Sequence, residues 1–211
     1  MTSTKTGTVS RGDTASLVAF CIAGVVIAAY ITVFSIIRIV ELARGVDVPV
    51  LVEFTGAPAD LPLEGGGSIP VDVTQATITA PQLPVIAAVP GIIGQVLQIV
   101  TVVVVIACLI LLARATMGGR IFGRGRTALI ATAGITGLLG FASVRFFDNM
   151  LANATVARIT DNGLDNAVMT IEPFAFILGA FVVALISTVF SIGDRLQREK
   201  ATLENDTRGL V

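Results

Sequence analysis

Histidine and tryptophan are absent from this 211-residue chain, tyrosine occurs once, and the two cysteines, Cys21 and Cys108, stand far apart. Without imidazole there is no zinc or haem site built on it, and neither a Ser-His-Asp nor a Cys-His catalytic arrangement can form. The isolated cysteines make no CxxC pair. Each lies about five or six residues from one end of an apolar run, where it reads as a small buried hydrophobe. No cofactor or metal is expected from this inventory. Charge is scarce too, at 14% of residues against roughly 25% in ordinary soluble domains.

What the chain has instead is apolar length. Hydrophobic residues make up 54% of it, with a mean hydropathy of +0.89. Four apolar runs, at about 15–40, 90–113, 127–147 and 173–192, each approach the ~20 residues a helix needs to cross hydrocarbon. The expected fold is an all-α membrane protein, a bundle of four transmembrane helices with a small β-rich extracytoplasmic loop between helices one and two. The expected division is a disordered cytoplasmic tail at 1–13, a membrane domain at 14–193 with its outer loop at 44–89, and a cytoplasmic tail at 194–211. The first run outlasts the ~7–15 residues of a signal-peptide h-region and offers no clear small-residue cleavage site before Arg38, so it reads as a span.

The net charge of -1 hides a segregation by side. The turn after the second run carries Arg114, Arg120, Arg124 and Arg126 and no acid. Lys and Arg in short loops are retained in the cytoplasm, so this turn sets the orientation. The first long loop holds Asp47, Glu53, Asp60, Glu64 and Asp72 against Arg44 alone, and the second holds Asp161, Asp165 and Glu172 against Arg158. Both loops are expected outside and both termini inside, as in a multi-pass protein of the inner (plasma) membrane. The lipid bilayer is thus the first partner. Arg120, Arg124 and Arg126 are the candidate contacts for a cytosolic protein.

Local patterning fills in the elements. Asp13 or Thr14 offers an N-cap to the first helix. Val48, Val50, Val52 and Phe54 alternate as a strand does, Ile69–Ile78 is a second β-rich run, and Thr55–Ser68 between them carries turn chemistry. A two- or three-stranded β element is expected there, with Pro81, Pro84 and Pro90 marking the return to the membrane. Helix three is rich in small residues, and Ala133/Gly137 and Thr136/Gly140 are spaced to let a neighbouring backbone approach. Residues 149–172 read as a polar external connection. Glu172 and Pro173 suit the start of helix four. Asn153-Ala-Thr155 matches a glycosylation sequon by composition alone and is assigned no role.

The polar residues inside the spans gather near the outer ends. Arg38 and Glu41 are three apart, as are Arg145 and Asp148, spacings that place each pair on one helix face. Gln95 and Gln98 share a face of helix two, where an amide usually bonds across a helix interface. These six residues form a candidate polar layer. Its structural reading is a device that fixes helix register; its functional reading is a small polar cavity under the outer loop. Arg145 can reach Asp148, Glu41 or Gln95.

Gly119-Arg-Ile-Phe122 followed by Arg126 and a new span, the segment Gly193-Asp-Arg-Leu-Gln-Arg-Glu199, and the close Asp206-Thr-Arg-Gly-Leu-Val211 together resemble bacterial four-helix membrane proteins grouped as domain of unknown function 2975. The resemblance implies a membrane protein in a family often encoded beside small helix-turn-helix regulators, and hence a regulatory partner by analogy.

The functional expectation is a non-enzymatic membrane scaffold, sensor or regulatory partner of a cytosolic protein. A second copy of the chain is a further candidate partner, and direct nucleic-acid binding is not expected. The alternative is a small transporter or channel component using the polar layer. Against it, the middle of each span lacks ionisable residues, where carriers usually place them. No nucleophile, base and orienter can be assembled for an enzyme.

Overall fold

The computed structural model describes residues 11–63, 65–117, 124–160, 177, 179–190, 192, 193 and 203. In chain order its elements are α1 (Arg11–Arg44), β1 (Val46–Pro62), β2 (Ser68–Gln82), α2 (Val85–Met117) and α3 (Arg124–Ile159). A shorter apolar helix covers Gly179–Phe190. Three helices are long and apolar enough to cross a membrane, over Thr14–Arg44, Val85–Ala115 and Gly125–Ile159. The sequence makes α1 apolar on every side: Phe20, Val26, Tyr30 and Phe34 are all more than half exposed. A helix that is hydrophobic all round belongs in a core or in lipid.

The described residues fall into two compact units, and α1, α2 and α3 contribute to both. The first unit draws on Met1–Ile31, Val100–Leu139 and Pro173–Val211. Its packing rests on small residues. A Cβ on Gly24 would stand 3.4 Å from Ile106, and one on Gly137 would stand 3.8 Å from Val105, ordinary contact distances. At Gly134 an added Cβ would fall inside the Val183 side chain. The closest approach is therefore at Gly134, beside the expected Ala133/Gly137 pair. Cys108 is buried and Cys21 half-buried, and both are free thiols.

The second unit draws on Thr32–Ile99 and Gly140–Glu172. Here β1 and β2 form a two-stranded antiparallel hairpin whose pairing runs from Val46↔Gln82 to Pro62↔Ser68. Period-2 alternation puts Val48, Val50 and Val52 on one face, each no more than 2% exposed. They pack with Ala80, Leu83, Leu42 of α1, Ala88 of α2, and Leu151, Ala152 and Val156 of α3 into one apolar core. The chain enters the hairpin through Gly45, whose φ of +65° suits glycine, and whose absent Cβ would meet the Leu83 carbonyl oxygen at 2.5 Å. The Leu83 amide donates to the Gly45 carbonyl at 2.7 Å and closes the base.

Several sequence expectations are corrected. Arg11–Asp13 are already helical, so neither Asp13 nor Thr14 is where α1 begins. The stretch Thr55–Pro62 is strand rather than loop, interrupted only where Phe54–Gly56 stand opposite Thr74 in a bulge. Pro90 lies inside α2 rather than before it, where it removes one backbone donor from the helix.

The largest correction is at the end of α3. Asn149–Ile159 continue the helix instead of forming a polar connection. Leu151, Ala152, Thr155 and Val156 recur at helical spacing and are all buried. The Thr155 hydroxyl donates to the Leu151 carbonyl at 2.8 Å, so its burial leaves no unmade bond. Arg120, the Glu172-Pro173 start of helix four and most of the 194–211 tail lie outside the described residues.

Candidate functional site

The second unit contains a cavity of about 220 Å³ built from four elements. Arg38 and Leu42 line it from α1; Val50, Leu51 and Glu53 from β1; Gly91 and Gln95 from α2; Arg145, Asp148, Asn149, Leu151 and Ala152 from α3. Helical periodicity explains these sets. Arg38/Leu42 and Gly91/Gln95 are four apart and Arg145/Asp148 three apart, each on one face. Gly91 allows the approach, since a Cβ there would meet Leu151 at 2.8 Å and Leu42 at 3.0 Å.

The charges are tied across elements. Arg38 donates through Nη1 to Glu41 Oε2 at 3.0 Å and through Nη2 to the Pro49 carbonyl of β1. Arg145 Nη1 lies 3.5 Å from Glu53 Oε1, with the two side chains 45% and 23% exposed. One guanidinium thus holds the strand by its backbone and the other by a side chain. Gln95 Oε1 is buried and has no hydrogen-bond partner among the described residues. Asp148, half-buried, completes a lining of two cations, two carboxylates and two amides, Gln95 and Asn149.

Of the six expected polar-layer residues, Arg38, Gln95, Arg145 and Asp148 meet at the cavity. Glu41 forms the expected pair with Arg38 but does not line the cavity. Gln98 is half-buried and not among the lining residues. The ion-pair partner of Arg145 is Glu53 of the hairpin rather than Asp148 or Glu41. Glu53 and Asn149 were not singled out from sequence. The available signal for Glu53 was an acid on the alternate face of a strand whose other face is Val48, Val50, Val52 and Phe54.

Among the described residues no group of three or more Cys, Asp or Glu side chains is placed to hold a metal ion. Of the arginine turn, Arg124 opens α3 and Arg126 is half-buried in its first turn. No family model, curated protein or solved structure matches this chain.

Proposed function

We propose that this chain is a non-enzymatic, four-span membrane protein with both termini cytoplasmic, acting as a sensor whose outer hairpin and charged cavity report to a cytosolic partner. The observation that carries the reading is the Arg145–Glu53 pair. It fastens the hairpin to a helix of 36 residues, roughly 54 Å at ~1.5 Å per residue, longer than the ~30 Å hydrocarbon layer. A ligand or partner that separates the two charges would act directly on that helix. The resemblance to the domain of unknown function 2975 group belongs to the same proposal and suggests its regulatory partner, while the four-span plan rests on the four apolar runs.

The transporter alternative has less support. Within the described parts of the first unit, Thr14–Ile31, Val100–Ala113, Thr127–Leu139 and Gly179–Phe190 hold no Asp, Glu, Lys or Arg, whereas carriers place such groups at mid-membrane depth. The test is mild-detergent co-purification from the native membrane, comparing wild type with Glu53→Gln. The proposal expects a cytosolic protein that wild type retains and whose yield changes when Glu53 is neutralised. Equal retention by both forms, or ion flux through reconstituted vesicles, contradicts it.

A further inference from the structure

In an antiparallel pair, residues alternate between those whose N–H and C=O bond to the partner strand and those whose groups point outward. Proline has no N–H and belongs at the outward positions. Beyond the bulge, Pro58 pairs with Asp72, Pro70 with Asp60 and Pro62 with Ser68, three alternate pairs of a single phase. Before the bulge Pro49 sets the phase, and the hydrogen bond from Arg38 to its carbonyl shows independently that this group faces away from β2. The opposite residues then follow from the register. Pro49 pairs with Thr79, Leu51 with Thr77 and Glu53 with Gln75, so Thr79, Thr77 and Gln75 point their backbone groups off the free side of β2.

The two edges are treated differently. Along β1 the edge is closed by three prolines, by the bulge and by Arg38, which are among the devices that stop a sheet edge from recruiting another chain. Along β2 the alternation breaks at Thr74, opposite the bulge, and Pro70 and Pro81 lie to either side; between them the run Gln75–Ala80 pairs in one register and has no proline and no Lys or Arg. Thr79, Thr77 and Gln75 are exposed, and among the described residues no backbone hydrogen bond from outside the hairpin reaches them. A hairpin of two strands is also marginal on its own in water, and the residues 58–62 and 65–70 are exposed throughout.

We infer that the free edge of β2 is a docking site for a basic polypeptide segment in extended conformation, which adds a third strand to the hairpin. Only an extended backbone matches the alternating donors and acceptors of a sheet edge. Charge selects which one. From Val46 to Gln82 the chain holds Asp47, Glu53, Asp60, Glu64 and Asp72 and no Lys or Arg, and Asp72, on β2 itself, is exposed. A second copy would bring like charges together, whereas Lys or Arg side chains alternating along the incoming strand would meet opposite ones. This inference stands apart from the cavity, because it uses the opposite edge of the hairpin.

The experiment uses the full chain in lipid nanodiscs, with hydrogen exchange read at single amides. The probe is a ten-residue peptide alternating Lys and Val, with a Glu-Val peptide as comparison. The Lys-Val peptide should slow exchange at Gln75, Thr77 and Thr79 roughly tenfold, or about 1.4 kcal/mol, while the Glu-Val peptide leaves them unchanged. Thr77→Pro should abolish this protection yet keep the ladder amides of Ala76 and Ile78 protected, because it removes only an outward N–H. Loss of ladder protection in Thr77→Pro would show the phase to be wrong. Equal protection by both peptides, or by neither, overturns the inference, as would disulfide-linked dimers through Gln75→Cys in a background lacking Cys21 and Cys108.

Discussion

The fate of each small or charged residue is decided by what stands within a few ångströms of it. Gly134 and Gly137 look alike in the sequence, yet a Cβ would collide with Val183 at the first and rest 3.8 Å from Val105 at the second. Gly134→Ala should therefore lose about 1–3 kcal/mol through overpacking, offset in part by the ~1 kcal/mol that alanine gains in a helix. Gly137→Ala should keep or raise the melting temperature in detergent; equal losses at both positions would contradict the packing. The Arg145–Glu53 pair is half in solvent, so its coupling in a double-mutant cycle should be about 0.2–1 kcal/mol. The cycle pairing Arg145→Gln with Glu41→Gln should show none. Arg38–Glu41 was legible in the sequence because both residues sit on one helix. Arg145–Glu53 was not, since no local spacing tells which strand will lie against the end of α3.

Among the elements, the C-terminal end of α3 is the piece that a composition-based reading misses and a periodicity-based one finds. Asn149, Asn153 and Arg158 make the segment look like a loop, while Leu151, Ala152, Thr155 and Val156 form one buried stripe, the apolar three of which share a core with Val48, Val50 and Val52. Because this stripe supports the hairpin, Leu151→Ala should cost roughly 2–5 kcal/mol and speed hydrogen exchange at Val48–Val52 as well as in α3. Faster exchange confined to α3 would mean that the strand is held in another way. The hairpin was legible from its alternating valines; its true length was not. Prolines and glycines in Thr55–Pro62 signal a turn, but here the prolines occupy outward positions and Gly56 takes a φ of +95° in the bulge, so the ladder resumes beyond them. Pro90 misled in the same way, because a long apolar helix absorbs the loss of one backbone bond.

For the molecule as a whole, length and hydropathy lead to four expected spans, of which three are helices long and apolar enough to cross a membrane and the fourth run holds the shorter apolar helix Gly179–Phe190 among its described residues. They did not disclose how far α1 and α3 extend past the apolar part, or that the cavity takes a wall from the hairpin. In the proposed topology the hairpin lies outside the cell while the chain before α1 lies within. It is tested most directly by replacing Cys21 and Cys108 with alanine, introducing Ser68→Cys or Ser10→Cys singly, and exposing intact cells to a membrane-impermeant maleimide. Cysteine at 68 should be labelled and cysteine at 10 spared until the cells are lysed; labelling of 10 with protection of 68 would contradict the account.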